Sequence, residues 1–563
     1  MYEPCIEPST GTAGDTGGET AAAEEEEEAA PSAATGQAHA LQDAVEACLQ
    51  RAVAHCVELQ TGNGSWEVLP DARIFETGLA AYALAHTPGN LDHRAVARAR
   101  AWIATATPQT HHPVARLIED TLRRIALGTG KFRTVDSIDT VDSIDTVDTV
   151  DLTAPELDEP VMASRNTLLH TLALHAGFTV RGRCSEEALR TRVAREYERC
   201  SQDKLKQWSK AELIALQILL QARAGHAAAV EAAGFDLVHV QSPRAGFFFN
   251  PVSTALAYIA LCIAAPASDP WYVLRDRLLR DQQPDGSWRF CTSDVWDTSL
   301  TVRGFGDHPD FARNALQPAL DFLQATQNPD GGWPFRSGVE SDNDTTGAVV
   351  LALRGTMQGE RTIDRALAYL ARVQMDNGLW RTWHFRDDPP VEDVVAHVLS
   401  ALDAYANRHR LDLAPARRWL AERVEPRDTW AASWYRGTPY AVAEISRALG
   451  SSHPLAHHGI DSLARAQRED GGWSHGSGDL GAPGPSTASA TGLALTAVAR
   501  RHPARVEAAL RYLVDTQRPD GTWPGTPDMY GPRPLLSHFT THTQAFVVGG
   551  IMSALASSRA PHR

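Results

Sequence analysis

Apolar residues recur along this chain mostly at helical spacing. Segments 92–104, 114–127, 186–200 and 210–232 place them three and four positions apart, the pattern of a helix with one buried face. A first helix is expected from about residue 40 to 59. From residue 271 the order becomes regular. Helices expected over 271–281, 318–327, 363–374, 461–467 and 506–517 each run into a loop. A second helix then opens on a polar cluster, as in Trp296-Asp297-Thr298-Ser299, Asp344-Thr345-Thr346 and Ser486-Thr487-Ala488. Ser, Thr and Asp ahead of an apolar run are helix N-cap signals. Strand patterns are scarce, so the chain reads as all-α.

The loops repeat one sequence, Gln-x3-Gly-x-Trp. It begins at Gln60, Gln282, Gln327, Gln374, Gln467 and Gln517, with Asp or Asn before each Gly. From 282 the gaps are 45, 47, 93 and 50 residues, and the long gap holds a worn copy ending at Trp430. A period in this range marks one supersecondary unit per copy. Two helices per unit, repeated about six times, close into a ring of inner and outer helices. Within each loop Gly permits a left-handed turn, Asp or Asn steadies it, Gln bonds free backbone groups and Trp covers the helix end. The Trp residues are expected to be braces, not carbohydrate platforms.

Charge changes this picture little. The net charge of -16 is concentrated in two low-complexity stretches, 1–40 and 134–159, each with nine acidic residues and no Lys or Arg; the remainder is near +2. Residues 1–39 are expected to be a disordered acidic tail and 134–159 a solvated loop, too acidic for a core strand. Neither offers the basic stripe a nucleic acid requires. Seven scattered cysteines form no CxxC pair or zinc spacing, and no signal peptide or long apolar span is visible. The expectation is a cytoplasmic protein without membrane insertion.

Several motifs in order resemble one family over about 60–560. The Gln…Gly…Trp loops resemble the QW repeats of triterpene and class II diterpene cyclases. Asp342-Asn343-Asp344-Thr345-Thr346, with the apolar helix after it, resembles their Asp-x-Asp-Asp-Thr segment. Arg165-Asn166-Thr167-Leu168-Leu169-His170 is similar to a stretch of labdane-type cyclases, as are Val240-Gln241-Ser242-Pro243-Arg244 and Asn250-Pro251-Val252-Ser253-Thr254. The resemblance implies two α/α-barrels. The β domain would comprise 40–69 plus 271–563, and an inserted γ domain 70–270, with a prenyl diphosphate bound between them. No Asp-Asp-x-x-Asp is found, so a class I α domain and ionisation of the diphosphate are not expected. Thr345 replaces the family's fourth acid, a variant similar to bacterial cyclases that make drimane skeletons from farnesyl diphosphate. Mg2+ is expected to accompany the substrate diphosphate. Plant relatives carry an acidic magnesium motif near the place where this chain has 106–112, which holds no Asp or Glu.

The resemblance implies a protonation-initiated cyclase, because an isolated alkene requires a strong acid kept protonated. Asp344 is expected to be that general acid, with Asp342 holding and orienting its proton by pairing. Thr345 and Thr346 would supply hydroxyl bonds in place of the lost Asp. The cation needs aromatic faces in a dry pocket, for which Trp296, Trp383, Phe385, Trp434, Tyr435, Tyr440, Tyr530 and Phe539 are candidates. A terminal base is sought among His384, His239 and His538. Arg244, and more weakly Arg303, Lys204 and Lys206, are expected to meet the diphosphate. The resemblance thus implies conversion of farnesyl diphosphate to drimenyl diphosphate. The alternatives are a copalyl-type synthase acting on geranylgeranyl diphosphate, and a binding barrel in which the acids only cap a helix.

Overall fold

A computed structural model of the chain describes residues 33–128, 149–158, 162–200, 205–240, 250–356, 360–383, 389–424, 429–450, 452–476, 484–531 and 533–559. The chain divides into Met1–Ala44, whose described part is the start of the first helix, and Val45–Arg563. That helix, α1 (Ala33–Glu58), begins before the expected residue 40, so 33–39 are helical backbone, not part of a disordered tail. The rest of the expected tail lies outside the described residues, as does 134–148 of the acidic loop.

The first group of helices is α2 (Ile74–Leu84), α3 (His93–Thr105), α4 (Pro113–Leu127), α5 (Ala163–His175), α6 (Glu186–Cys200), α7 (Gln207–Arg223), α8 (Ala227–His239), α9 (Pro251–Ala264) and α10 (Asp269–Asp281). Helix α2 is buried along its whole length and packs on α3, α4 and α9; α9 in turn packs on α7, α8 and α10. The single helix expected over 210–232 is two, because Gly225 takes a φ of +74° and breaks it. The acidic stretch also departs from expectation. Strand β1 (Thr149–Leu152) pairs in parallel with β2 (Thr179–Gly182). Its exposed and buried residues alternate, so Val150 and Leu152 enter the core while Asp151 stays in solvent.

The second group is α11 (Asp294–Phe305), α12 (Pro309–Phe311), α13 (Gln317–Ala325), α14 (Asn343–Ala352), α15 (Glu360–Val373), α16 (Glu392–Ala404), α17 (Ala414–Glu422), α18 (Thr438–Leu449), α19 (Pro454–Arg465), α20 (Ala488–Val498), α21 (Val506–Thr516) and α22 (Thr540–Arg559). Strands β3 (Met529–Tyr530) and β4 (Leu536–Ser537) form a small hairpin before α22. Helices α11, α14, α16, α18, α20 and α22 are largely buried and pack in that order, with α22 returning to α11. This is a closed inner ring. The amphipathic α13, α15, α17, α19 and α21 lie outside it.

The Gln…Gly…Trp loops join the outer helices one to the next. In each of seven loops, the worn copy included, the indole N–H donates to the carbonyl ten residues earlier at 2.6–2.9 Å. In the six full copies the Gln amide donates to the Gly carbonyl, and that Gly has a φ of +79° to +94°. The same amide reaches the following outer helix: Gln327 bonds Thr362 O, Gln467 bonds Arg505 O, Gln517 bonds Cys48 O of α1, and Gln60 bonds Ala315 O ahead of α13. Gly378 lies against Pro415, and the Trp430 ring lies against Gly459. The outer circle therefore closes through α1. The Trp rings of the six full copies are fully buried, as braces require.

The Gln282 copy belongs elsewhere. Its amide bonds Ala95 O of α3, and Trp288 joins the core of the first group, against which α10 also packs. We therefore draw the seam between the two helical groups after Trp288, not at 271. No described helix is long and apolar enough to cross a membrane.

Candidate active site

Residue Asp342 caps α14. Its Oδ1 accepts the Thr345 N–H at 2.6 Å and its Oδ2 accepts the Thr345 hydroxyl at 2.9 Å. The Trp333 brace fixes this cap: Asp342 N donates to Trp333 O, Trp333 N donates to the Thr346 hydroxyl, and that hydroxyl donates to Asp342 O at 2.6 Å. Burial, with a smaller contribution from the charge of Asp344, raises the Asp342 carboxyl from 3.8 to about 8, although its bonds from Thr345 oppose this. Asp342 is thus a buried cap whose environment favours its protonated form.

Residue Asp344 stands two positions on and faces a different neighbour. Its Oδ1 lies 2.6 Å from Nδ1 of His397, on α16. Its carboxyl makes no other hydrogen bond among the described residues, and its side chain keeps 10 % exposure. Residues two apart on a helix do not share a face. No hydrogen bond joins the two carboxyls, and Thr345 and Thr346 bond Asp342 and the brace. The expected proton-sharing pair is thereby corrected: the partner of Asp344 is His397. Gly347 permits this contact, because α14 passes so close to α16 there that a Cβ would sit 3.0 Å from the His397 carbonyl carbon.

A wider network holds His397. Its Nε2 lies 3.3 Å from Glu444 and 3.4 Å from the Tyr440 hydroxyl. Glu444 in turn pairs with Arg303 at 3.2 Å and Arg447 at 2.5 Å. Burial alone would lower the imidazole, but Asp344 and Glu444 outweigh it and raise it to about 9. His397 is therefore an imidazolium at neutral pH. Burial would raise Glu444, but Arg447, Arg303 and His397 hold it well below its ordinary 4.5. Arg303 belongs to this network, which corrects its expected role at the diphosphate. One turn before His397, Asp393 accepts the Ser433 and Trp434 N–H groups at 3.0 and 2.7 Å, fixing the loop that carries the next aromatics. Burial and then Asp344 raise its carboxyl to about 6.

Three of the expected aromatics surround the acid. Trp296 lies 5.9 Å from the His397 ring, Tyr440 meets that ring edge-on at 6.2 Å, and Tyr435 stacks on Tyr440 at 4.3 Å. Phe546, not foreseen, closes on Tyr435 at 5.5 Å. Trp383 and Trp434 form a second group, edge to face at 5.3 Å, which Trp208 and Lys206 of the first helical group join; the Lys206 ammonium sits 3.7 Å from the Trp383 ring centre. Tyr530 lies under Arg533 and bonds the Trp434 carbonyl through its backbone. Phe539 stacks on His542, one layer behind Tyr435. His239 is exposed on α8, bonded to Phe235 O. His538 bonds Asp71 and lines a cavity of about 250 Å³ that shares no lining residue with the acid cluster. Arg244, Lys204, His384 and Phe385 lie outside the described residues.

The expected Mg2+ would be carried by the substrate diphosphate. No group of three or more His, Cys, Asp or Glu side chains converges among them. Near the 106–112 segment Glu119 accepts the Gln109 N–H through Oε2 while its buried Oε1 makes no hydrogen bond among the described residues, and Glu76 pairs with Arg73. No step is assigned to a metal. His397, Glu444 and His542 are the groups that the sequence did not single out, and Asp297 was legible there only as part of a helix cap. Their one signal is a polar residue within an otherwise apolar inner helix, such as Asp393 and His397 one turn apart on α16.

Residues 385–539 match the squalene-hopene cyclase C-terminal domain. The chain is 29% identical over 432 residues to a drimenyl diphosphate synthase of Streptantibioticus cattleyicolor, covering 71% of this chain and 77% of the relative. It is 29% identical over 316 residues to a drimenyl diphosphate synthase of Streptomyces showdoensis, covering 54% of this chain and about half (51%) of that relative. In fold it is similar to the ent-copalyl diphosphate synthase of Streptomyces platensis, with a TM-score of 0.60 at 17% identity over 91% of this chain and 99% of that one.

Proposed function

We propose that this chain is a class II terpene cyclase that converts linear farnesyl diphosphate to bicyclic drimenyl diphosphate with the diphosphate retained. The observation that carries the reading is the 2.6 Å contact of Asp344 with a buried imidazolium beside an aromatic wall. In this reading Asp344 bears its proton on Oδ2, the oxygen free of protein partners, and delivers it to the distal double bond. The carboxylate left behind is stabilised by His397 and by the N-terminal end of α14, at whose second residue it stands. The new tertiary cation lies against Trp296, Tyr435 and Tyr440, whose faces attract positive charge and exclude water. Ring closure then moves the charge along the chain, and a proton loss ends the reaction.

Two relatives named for the C15 reaction support farnesyl diphosphate, as does Thr345 in place of a further acid. The test is to incubate the full chain separately with farnesyl and geranylgeranyl diphosphate, treat with phosphatase, and identify the alcohols by gas chromatography and mass spectrometry. Drimenol from the C15 substrate, with little turnover of C20, is expected. Preferential C20 cyclisation would replace this reading with the copalyl-type one. Conversion of neither would defeat the cyclase reading.

A further inference from the structure

A second acid–base chain backs the aromatic wall beside Asp344. Three donors converge on the Asp297 carboxyl: the Ser293 hydroxyl at 2.7 Å, the Thr541 hydroxyl at 3.2 Å and His542 Nε2 at 2.8 Å. With both oxygens of the carboxyl accepting, the histidine proton is assigned to Nε2. His542 Nδ1 is then an acceptor, and it takes the Tyr435 hydroxyl at 3.0 Å. The Tyr435 oxygen accepts the Trp296 indole N–H at 2.8 Å. Asp297 and His542 are both fully buried, and Tyr435 is 1% exposed. Packing alone asks for no ionisable pair here, and apolar side chains of similar volume fill a core at least as well.

The place of this chain matters as much as its content. The Tyr435 ring stacks on Tyr440, whose hydroxyl reaches the imidazole that holds Asp344. Trp296 touches both sides, 5.9 Å from His397 and bonded to Tyr435. The acid and the Tyr435 chain thus border one aromatic wall. His397 is not the proton acceptor, since as an imidazolium paired with Glu444 it has no free nitrogen lone pair.

We infer that Tyr435, backed by His542 and Asp297, accepts the proton that ends the cyclisation. The inference rests on the cyclase reading above. The C–H bond beside the last cation breaks, and its electron pair becomes the new C=C bond. The proton adds to the Tyr435 oxygen as the phenol's own proton passes to His542 Nδ1. The imidazolium formed is held by the Asp297 carboxylate. A proton beside a carbocation is acidic enough for a neutral phenol to take. The relay moves the charge one group away, so the proton does not return to the alkene. One proton leaves Asp344 and one arrives at His542 in each turnover; exchange with water on product release restores both.

The test uses the full chain with Tyr435→Phe and His542→Gln, fed farnesyl diphosphate, with product ratios read after phosphatase treatment. Both variants should still consume substrate, at about a tenth of the wild-type rate or better, because the Asp344–His397 acid is untouched. At least a third of the product should shift to isomeric alkenes or to an alcohol from water capture. A merely structural role would slow turnover and leave the product ratio unchanged; that result in a variant whose thermal melt shows it folded overturns the inference. The two variants act on different atoms, so one that fails to fold leaves the other to decide. A wild-type chain inactive on C15 and C20 substrates would instead defeat the cyclase reading, and this inference with it.

Discussion

Replacing His397 by Gln keeps a hydrogen-bond donor near Asp344 and removes the positive charge. The structure sets the size of the effect. Asp344 and Glu444 together raise the imidazole from 6.5 to about 9 against the opposing pull of burial. A rise of 2.5 pH units corresponds to about 3 kcal/mol of interaction between the imidazolium and its surroundings. Much of it is shared with Glu444, and the part felt by Asp344 stabilises the carboxylate that appears only after proton transfer. A loss of 2–3 kcal/mol in the transition state is a fall in kcat on the order of 10²-fold, with KM little changed. The assay is steady-state turnover of farnesyl diphosphate across pH. Wild-type kcat should decline as pH rises through about 9, when His397 loses its proton, and the variant should lack that decline. The same group links to stability. Its folded-state value lies above its unfolded value, so its contribution is full below about 6.5 and is lost as pH rises through about 9. The Tm of the wild type should therefore fall more steeply than that of the variant between those limits. A variant that keeps a third of wild-type kcat, or an unchanged alkaline limb, would refute the role given to the imidazolium.

Asp344→Asn should abolish turnover, below about 10⁻³ of wild type, while the melting curve stays within a few degrees, since the change keeps the side chain's shape; measurable cyclisation by a folded variant counts against Asp344 as the acid. Thr345→Val deletes the hydroxyl bonded to the buried Asp342 and should cost about 1–2 kcal/mol of stability in urea titrations, with kcat reduced less than tenfold. Gly347→Ala places a methyl 3.0 Å from the His397 backbone, so it should part α14 from α16 and cut kcat about tenfold or more, a larger effect than its shift in Tm. Gly521→Ala adds a Cβ 2.5 Å from the Arg51 carbonyl at a φ of +85°, and should lower stability by about 3 kcal/mol, read as a drop in Tm of several degrees with kcat nearly unchanged in the folded fraction.

What could be read along the chain was what neighbours in sequence decide. A left-handed Gly, an Asp bonding the second amide on, and a Trp reaching back ten residues are local facts, so the loop sequence alone revealed the braces. Asp342 was legible as a cap for the same reason. The partner of Asp344 was not, because His397 lies 53 residues away and arrives only when α14 packs on α16. The adjacent acids suggested a proton-sharing pair, yet helical geometry turns Asp344 away from Asp342 and toward the next inner helix. The Gln282 loop shows the same limit. Its local geometry matches the others, and only its distant contact with Ala95 assigns it to the first helical group. Strand β1 was missed because acid content outweighed a four-residue alternation that two buried side chains suffice to anchor.

The two buried His–carboxylate pairs differ in a way that gives the reaction a direction. His397 sits between two carboxyl groups, Asp344 and Glu444, with Arg303 and Arg447 behind Glu444, and its contacts with both carboxyls favour its charged form. It can stabilise an anion but cannot take a proton. His542 has one carboxylate on one nitrogen and a phenol on the other, so it has an acceptor site to fill. A cation born beside Asp344 leaves negative charge at that end, and a proton delivered to Tyr435 leaves positive charge at the other. Between them lie Trp296, Tyr435 and Tyr440, faces that stabilise a cation without accepting its proton except at one hydroxyl. That hydroxyl is oriented by its bonds to Trp296 and His542, and so it selects one C–H of the last cation. Ring closure is favoured by the substrate's own chemistry; the wall's contribution is to keep water out and to offer a single exit for the proton.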